Sequence, residues 1–314
     1  MVDMNISHKI SRSLFLKQAY ATSAALFFPG ILPAFSQPKM VMRKIPSTGE
    51  LIPAIGLGSW ITFDVGDSES ELQPMRNVLK TFADLGGTVI DSSPMYGRSE
   101  KVIGQLASEL GITEKLWMAT KVWTSDEDTG KSQVENSKTF FKKWPSLIQV
   151  HNLQALKTHL KTLRSLKEEG KLRYIGITHY VNSAHGELAE LVKNEKLDFI
   201  QVNLSVRNTA AENYLIPLAA DKGVGVIINR PFESGLLFDT VSATNIPSWA
   251  SDWGITTWAA FFLKYLISNV NITCTIPATS QVNHLKENMA ASLGPLPDGV
   301  TRKKMVEFYK NNAK

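Results

Sequence analysis

The chain has 314 residues, 43% hydrophobic and 20% charged, a composition that excludes intrinsic disorder as the main state and can fill the core of one large domain. Its net charge is +5; Lys9, Arg12 and Lys17 against Asp3 place two of those charges in the first 36 residues, and the +3 left is too diffuse for a nucleic-acid surface. The one cysteine, Cys274, excludes an intramolecular disulfide, so burial has to hold the fold.

In chain order, the basic positions 9, 12 and 17 precede an apolar, alanine-rich run from Ala19 to Phe35, and Ala34-Phe35-Ser36 offers small residues where a signal peptidase cuts. Residues 1–36 therefore read as a signal peptide and 37–314 as one domain. Ser11-Arg12-Ser13-Leu14-Phe15-Leu16-Lys17 resembles the twin-arginine translocation motif with Ser13 in place of the second arginine. The expectation is a periplasmic protein; the alternative is an unprocessed leader on a cytoplasmic one. Pro29-Gly30 interrupts the apolar run, which makes it weak as a spanning helix, and no stable membrane span is expected in the mature chain.

After residue 40, Met40–Lys44 and Glu50–Pro53 flank Ser47-Thr48-Gly49 and read as a β-hairpin. Eight apolar, β-branched runs follow, at Ala54–Gly58, Thr88–Ser93, Leu116–Trp123, Ser146–Asn152, Tyr174–Tyr180, Phe199–Ser205, Val224–Phe232 and Cys274–Thr279. Helical patterns separate them. The clearest is Gln154–Glu169, where Leu156, Leu160, Leu163 and Leu166 recur at spacings of four and three before Gly170; others begin near Glu71, Arg98, Ser132, Ser183, Ala211, Asp252 and Gln281. Eight βα units in about 250 residues predict an α/β protein with a (β/α)8 TIM barrel, its floor closed by the hairpin. A doubly wound open sheet competes, but Gly56-Leu57-Gly58-Ser59-Trp60-Ile61 lacks the third glycine of a dinucleotide fingerprint.

In such a barrel the polar residues at the C-terminal strand ends face the site. Here they are Asp91 with Tyr96 in the following loop, Lys121, His151, and Gln201. Taken singly, each has an ordinary explanation as a surface charge, a core histidine or a capping group; gathered on one rim they are costly to desolvate and point to chemistry. A phenol titrates near 10 when unperturbed. A neighbouring Lys121 ammonium is expected to lower that value, with Asp91 holding Lys121 and His151 orienting a carbonyl oxygen.

These residues carry a resemblance. Gly87-Thr88-Val89-Ile90-Asp91-Ser92-Ser93-Pro94-Met95-Tyr96-Gly97-Arg98-Ser99-Glu100, followed by Ile103-Gly104, is similar to the aspartate–tyrosine signature of the aldo-keto reductases. Ala119-Thr120-Lys121 resembles their lysine motif, Gln149-Val150-His151-Asn152 the histidine motif, and Ile276-Pro277-Ala278-Thr279 with Glu287-Asn288 the adenosine motif. The resemblance implies a catalytic tetrad of Asp91, Tyr96, Lys121 and His151, hydride transfer from NADPH (NADH possible) to a small-molecule aldehyde or ketone, Tyr96 as general acid, and no metal. It also implies cofactor contacts from Thr178, His179, Gln201, Asn229, Arg230, Pro231, Phe232, Thr279, His284, Glu287 and Asn288. Several of these depart from the commoner pattern. Thr178-His179 stands where Ser-Asn is usual, Asn229 replaces a stacking tyrosine, and Ala278 and His284 stand where lysine and arginine often meet a 2′-phosphate. Two alternatives stand here: Arg230 contacts the cofactor's diphosphate, or Phe232 supplies aromatic surface.

Two other functions are open on the residues alone: a nicotinamide-sensing regulatory subunit without turnover, and a barrel lyase using Lys121 as a Schiff base. The loops at residues 62–71, 124–130 and 233–251 should shape the pocket, with Trp60, Trp123 and Trp253 as candidates for its apolar wall or for packing.

Overall fold

The structure is a computed structural model that describes residues 39–314; the leader predicted for residues 1–36 lies outside them. Strands β1 (Met42–Lys44) and β2 (Leu51–Pro53) pair antiparallel as the predicted hairpin. The eight barrel strands are β3 (Leu57–Gly58), β4 (Val89–Asp91), β5 (Trp117–Val122), β6 (Leu147–His151), β7 (Tyr174–Thr178), β8 (Phe199–Asn203), β9 (Gly225–Asn229) and β10 (Cys274–Thr275). They pair parallel in chain order. Backbone bonds from Gly56 N–H to Thr275 O at 2.8 Å and from Thr275 N–H to Ala54 O at 2.9 Å bring the last strand to the first. The fold is the (β/α)8 barrel expected.

Crossover helices α1 (Glu69–Asp84), α2 (Ser99–Glu109), α3 (Glu127–Phe141), α4 (Leu156–Glu168), α5 (His185–Asn194), α6 (Leu215–Asp221), α7 (Leu236–Thr240), α8 (Trp258–Ile267), α9 (Val282–Ala290) and α10 (Gly299–Asn312) surround it. Several boundaries differ from the sequence reading for local reasons. Helix α3 starts five residues before Ser132 because the Asp126 side chain accepts the Thr129 N–H at 2.7 Å and caps it. Helix α4 starts two residues after Gln154 because Asn152, Leu153 and Ala155 all take positive φ. Helix α8 starts at Trp258, capped by Thr257 through Ala260 N–H, after a 3-10 turn at Ser248–Trp253. Strand β10 stops two residues before Pro277, which has no N–H to give a ladder, and β9 ends where Arg230 turns to φ 52°. Helices α7 and α10 were not anticipated.

Side-chain alternation along the strands divides the interior into two cores. Outward residues such as Met118, Val122, Ile148, Val150, Ile175 and Ile200 pack against the helices, including Leu160 and Leu163 of α4. Inward residues Val89, Trp117, Ala119, Leu147, Tyr174, Phe199, Ile227 and Cys274 form a second cluster, joined from below by Ile45 and Ile52 of the hairpin segment. The rings of Trp117, Tyr174 and Phe199 meet at 5.5–5.8 Å between centroids. Phe199 has room because two neighbours are glycine: a Cβ on Gly176 would lie 2.6 Å from the Phe199 carbonyl oxygen, and one on Gly225 2.6 Å from its ring. The lower barrel is thus closed and apolar, which leaves the C-terminal rim for polar groups.

Candidate active site

Period-two alternation carries the inward row of each strand upward from the apolar layer: Val89 to Asp91, Trp117 through Ala119 to Lys121, Leu147 through Gln149 to His151, Tyr174 through Gly176 to Thr178, and Phe199 through Gln201 to Asn203. Asp91, Lys121, Gln149, His151, Thr178, Gln201 and Asn203 are all buried. Lys121, 1% exposed, donates to Asp91 Oδ2 at 2.6 Å and to the Ser92 carbonyl at 2.7 Å. The same nitrogen stands 4.8 Å from the centre of the Tyr96 ring. Tyr96 meets His151 edge to face, with centroids 6.0 Å apart. All four residues of the expected tetrad therefore cluster at the C-terminal end of the barrel.

Hydrogen bonds extend this cluster to two of the expected cofactor residues. Gln201 Nε2 donates to Asp91 Oδ1 at 2.9 Å, and the Thr178 hydroxyl donates to Gln201 Oε1 at 3.0 Å. Three further members stand inside the quoted motifs but were not singled out as site residues. Gln149 Nε2 approaches Asp91 Oδ1 at 3.4 Å, Ser92 supplies a carbonyl to Lys121, and the Ser93 hydroxyl lies 3.2 Å from His151 Nδ1. For Gln149 a signal was available: it stands two residues before His151 and so shares its inward face.

Electrostatics follow from burial and this pairing. Burial opposes the Lys121 ammonium, but the charge of Asp91, the Tyr96 phenol and the hydrogen bond to Asp91 outweigh it, so its pKa lies above the usual lysine value. His151 is pushed down to about 3, first by burial and then by the nearby charges of Lys121 and His179, so its ring is neutral at ordinary pH. The expectation for Tyr96 needs a correction. Burial raises its pKa more than the Lys121 charge lowers it, and Asp91 adds to the rise, so the net shift is upward.

The remaining expected cofactor residues are more dispersed. Asn229 Nδ2 donates to the His179 carbonyl at 3.2 Å, while its Oδ1 is buried without a partner among the described residues. His179 stacks on Tyr180, with centroids 5.5 Å apart, and its Nδ1 accepts the Tyr180 N–H at 3.0 Å. Exposed Arg230 lays its guanidinium 5.7 Å over the Tyr180 ring. Tyr180, Asn203 and Arg230 line a cleft of about 380 Å³ on the loops after β7, β8 and β9. Pro231 is buried beside it in sequence. Phe232 turns away to pack at 4.9 Å on Phe238 and 6.3 Å on Phe262, so its ring is committed to the outer core. Thr279 sits at the entrance to α9, where its hydroxyl accepts the Gln281 N–H at 3.1 Å. On α9 itself, His284 is exposed, Glu287 half-buried and Asn288 buried.

A second cavity, of about 370 Å³, opens on the loops after β4, β5 and β6, with Pro94, Met95, Trp123 and Gln154 in its wall. Among the described residues no cluster of three or more His, Cys, Asp or Glu side chains is placed to hold a metal, and no helix is long and apolar enough to cross a membrane.

Comparison with known proteins agrees with this architecture. The chain is 27% identical over 242 residues to the NADH-specific methylglyoxal reductase of Escherichia coli (strain K12), covering 67% of this chain and 73% of that protein. It is 26% identical over 285 residues to the L-galactose dehydrogenase of Arabidopsis thaliana, covering 81% and 88%. A solved aldo-keto reductase from Klebsiella pneumoniae in complex with NADPH superposes with a TM-score of 0.73 at 23% identity, covering 88% of this chain and 99% of that one. The family model described as the Aldo/keto reductase family matches residues 54–303, and the chain belongs to that family.

Proposed function

We propose that this protein is an NAD(P)H-dependent oxidoreductase that reduces an aldehyde or ketone to an alcohol, with Tyr96 as proton donor and Lys121, Asp91 and His151 supporting it. The observation that carries the reading is the Lys121 ammonium, held by Asp91 at 2.6 Å and standing 4.8 Å from the Tyr96 ring centre in a buried rim. The upward shift of the phenol suits the role. A general acid must hold its proton until the carbonyl oxygen becomes basic, and Tyr96 does so at neutral pH. The phenolate left after transfer faces the Lys121 charge, which stabilises it where charge develops.

His151 is neutral and supports the same oxygen by hydrogen bonding. The Ser93 oxygen already takes the Met95 N–H at 3.3 Å; a Ser93 hydroxyl hydrogen directed at Nδ1 leaves the imidazole proton on Nε2, free to donate to the substrate. When bound, the reduced nicotinamide supplies the hydride. The fit to such a cofactor rests on Asn229 Oδ1, a buried acceptor without a donor among the described residues, and on Arg230, exposed at the cleft beside Tyr180. Thr178, Gln201, His179 and Asn229 would hold the carboxamide end, Arg230 with the backbone at Pro231 the diphosphate turn, and Thr279, His284, Glu287 and Asn288 the adenosine end, while the Phe232 ring stays in the outer core. NADPH is the proposed donor by resemblance to the family; NADH is the alternative, since the Thr279 hydroxyl is already engaged with backbone and no lysine stands at position 278 to meet a 2′-phosphate. A Lys121 Schiff base fits less well: the amine's raised pKa keeps it protonated and weakly nucleophilic.

The test is NADPH oxidation by the purified chain with an activated aldehyde such as 4-nitrobenzaldehyde. Tyr96→Phe is expected to lower kcat by about 10²–10⁴-fold, the usual contribution of a positioned general acid, while NADPH binding measured by fluorescence persists. Full turnover in that variant would overturn the assignment.

A further inference from the structure

Glu100 closes the segment that carries Asp91 and Tyr96, yet the chemistry above does not use it. It lies in the first turn of α2, four residues after Tyr96, and is 3% exposed. Its partners are two hydroxyls in place of a cation: Thr120 donates to Oε1 at 2.5 Å, and Ser137 of α3 donates to the same oxygen at 2.7 Å. Burial raises the pKa of this carboxyl, and the two bonds, together with the nearby Lys121 charge, offset only part of the rise. An apolar side chain would fill the place without that desolvation. Packing alone therefore does not account for a carboxylate here.

Its place between two elements does. Alternation along β5 turns Lys121 inward to the rim and Thr120 outward to the helices, so the Thr120 hydroxyl ties the strand, one residue before the ammonium, to the first turn of α2. The same turn anchors the phenol: the Ser99 N–H donates to the Tyr96 carbonyl at 3.1 Å, and the Ser99 side chain is fully buried. Glu100 thus joins the segment carrying Tyr96 to the strand carrying Lys121, from the outer side of the barrel wall. Gly104, one turn further along the same helix face, lets α3 approach so closely that a Cβ there would fall 1.7 Å from the Phe140 carbonyl oxygen. From α3, Gln133 holds the residue after β5 at both ends, its Oε1 accepting the Trp123 N–H at 2.8 Å and its Nε2 donating to the Trp123 carbonyl at 2.9 Å. We propose that Glu100 is a positioning residue for proton transfer: by gripping Thr120 it fixes the Lys121 ammonium relative to Tyr96, acting through strand β5 and not on the substrate. This rests on the carbonyl-reductase reading above.

Thr120→Val replaces the hydroxyl by a methyl group and cuts this tie alone, whereas Thr120→Ser keeps it. With NADPH and 4-nitrobenzaldehyde, Thr120→Val is expected to lower kcat by about 10–100-fold, the effect of misplacing a reacting group by about an ångström or less. KM and NADPH binding by fluorescence should hold, and Thr120→Ser should stay close to wild type. Glu100→Leu should lose at least as much as Thr120→Val, and the two together no more than Glu100→Leu alone, because both break one bond. A loss confined to KM, equal losses in the serine and valine variants, or losses that multiply in the double variant overturn the inference and leave the reductase reading standing. A second readout needs no turnover: NMR of carbon-13-labelled tyrosine rings, with the Tyr96 signal identified by its absence in Tyr96→Phe. Thr120→Val should displace that signal at neutral pH and Thr120→Ser leave it in place. A wild-type Tyr96 signal in Thr120→Val refutes the role of Glu100 whether or not the chain reduces a carbonyl.

Discussion

His151 offers a sharp test of the site's electrostatics because its burial makes a stability statement. Its pKa is about 3 in the folded protein against 6.5 for the free side chain, so between those values the unfolded chain takes up a proton that the folded one refuses. Stability is therefore complete above about pH 6.5 and is lost progressively as the pH falls toward 3. At pH 5 nearly all unfolded chains carry this proton and almost no folded ones do, and the linkage integral gives about 2 kcal/mol of lost stability relative to pH 7. Since pH 5 lies well above the folded midpoint, the unfolded value sets most of that figure. The assay is urea denaturation of the wild type and His151→Gln at both pH values. Glutamine does not titrate and keeps a group able to bond Ser93, so the variant should lose about 2 kcal/mol less between pH 7 and 5, every other titrating group being common to both proteins. Parallel losses in the two proteins, or an NMR midpoint for His151 near 6.5, would refute the neutral, desolvated imidazole on which its proposed donor role depends.

Two further outcomes follow from the barrel interior. Lys121→Met leaves the Asp91 carboxylate buried without its cation and should destabilise the fold by roughly 3–5 kcal/mol, with Asp91→Asn in the same chain restoring part of that; a loss under about 1 kcal/mol in denaturation would show that the pair is better solvated than its burial indicates. Gly176→Ala presses a methyl group toward the Phe199 carbonyl at 2.6 Å and should cost about 1–3 kcal/mol, whereas Gly186→Ala in α5, with open space around its Cβ, should stabilise by about 0.5–1 kcal/mol; equal thermal shifts in the two variants would contradict this packing.

The barrel was legible because its strands obey one rule twice. Apolar residues fill both faces of each strand, and the polar exceptions come at the C-terminal ends, so Asp91, Lys121 and His151 announce both the end of a strand and the location of the rim. What sequence reasoning missed was set by backbone conformation or by weak pattern. The late start of α4 follows from three positive-φ residues, two of which, Leu153 and Ala155, carry no turn signal. Helix α10 buries only Met305 and Tyr309, four apart, beneath a mostly polar surface; its available signal was Asp298, whose side chain caps Thr301 N–H at 2.7 Å. The direction of the Tyr96 shift was missed because it depends on how deeply the phenol is buried, which spacing does not reveal. Thr279, His284, Glu287 and Asn288, expected at the adenosine end, share no hydrogen bond with the rim among the described residues, so no internal contact singles them out as Asp91 singles out Lys121.

The layered interior also explains how one barrel can hold a lysine, an aspartate and two glutamines at its rim without opening its core. Each polar side chain is inward-facing and stands above an apolar or small residue of its own strand: Asp91 above Val89, Lys121 above Ala119 and Trp117, Gln201 above Phe199. The aromatic layer excludes water from below, which lowers the local dielectric and strengthens every contact above it. The same dryness makes any unpaired group there expensive, and this is why Asp91 accepts from Lys121 and Gln201, with Gln149 near by, instead of from one partner. Rigidity of the carboxylate then fixes the direction of the ammonium, and the ammonium fixes where a phenolate can form. On this view Phe199 and the glycines on its two neighbouring strands would support the proposed chemistry indirectly, by sealing the floor on which the polar network stands.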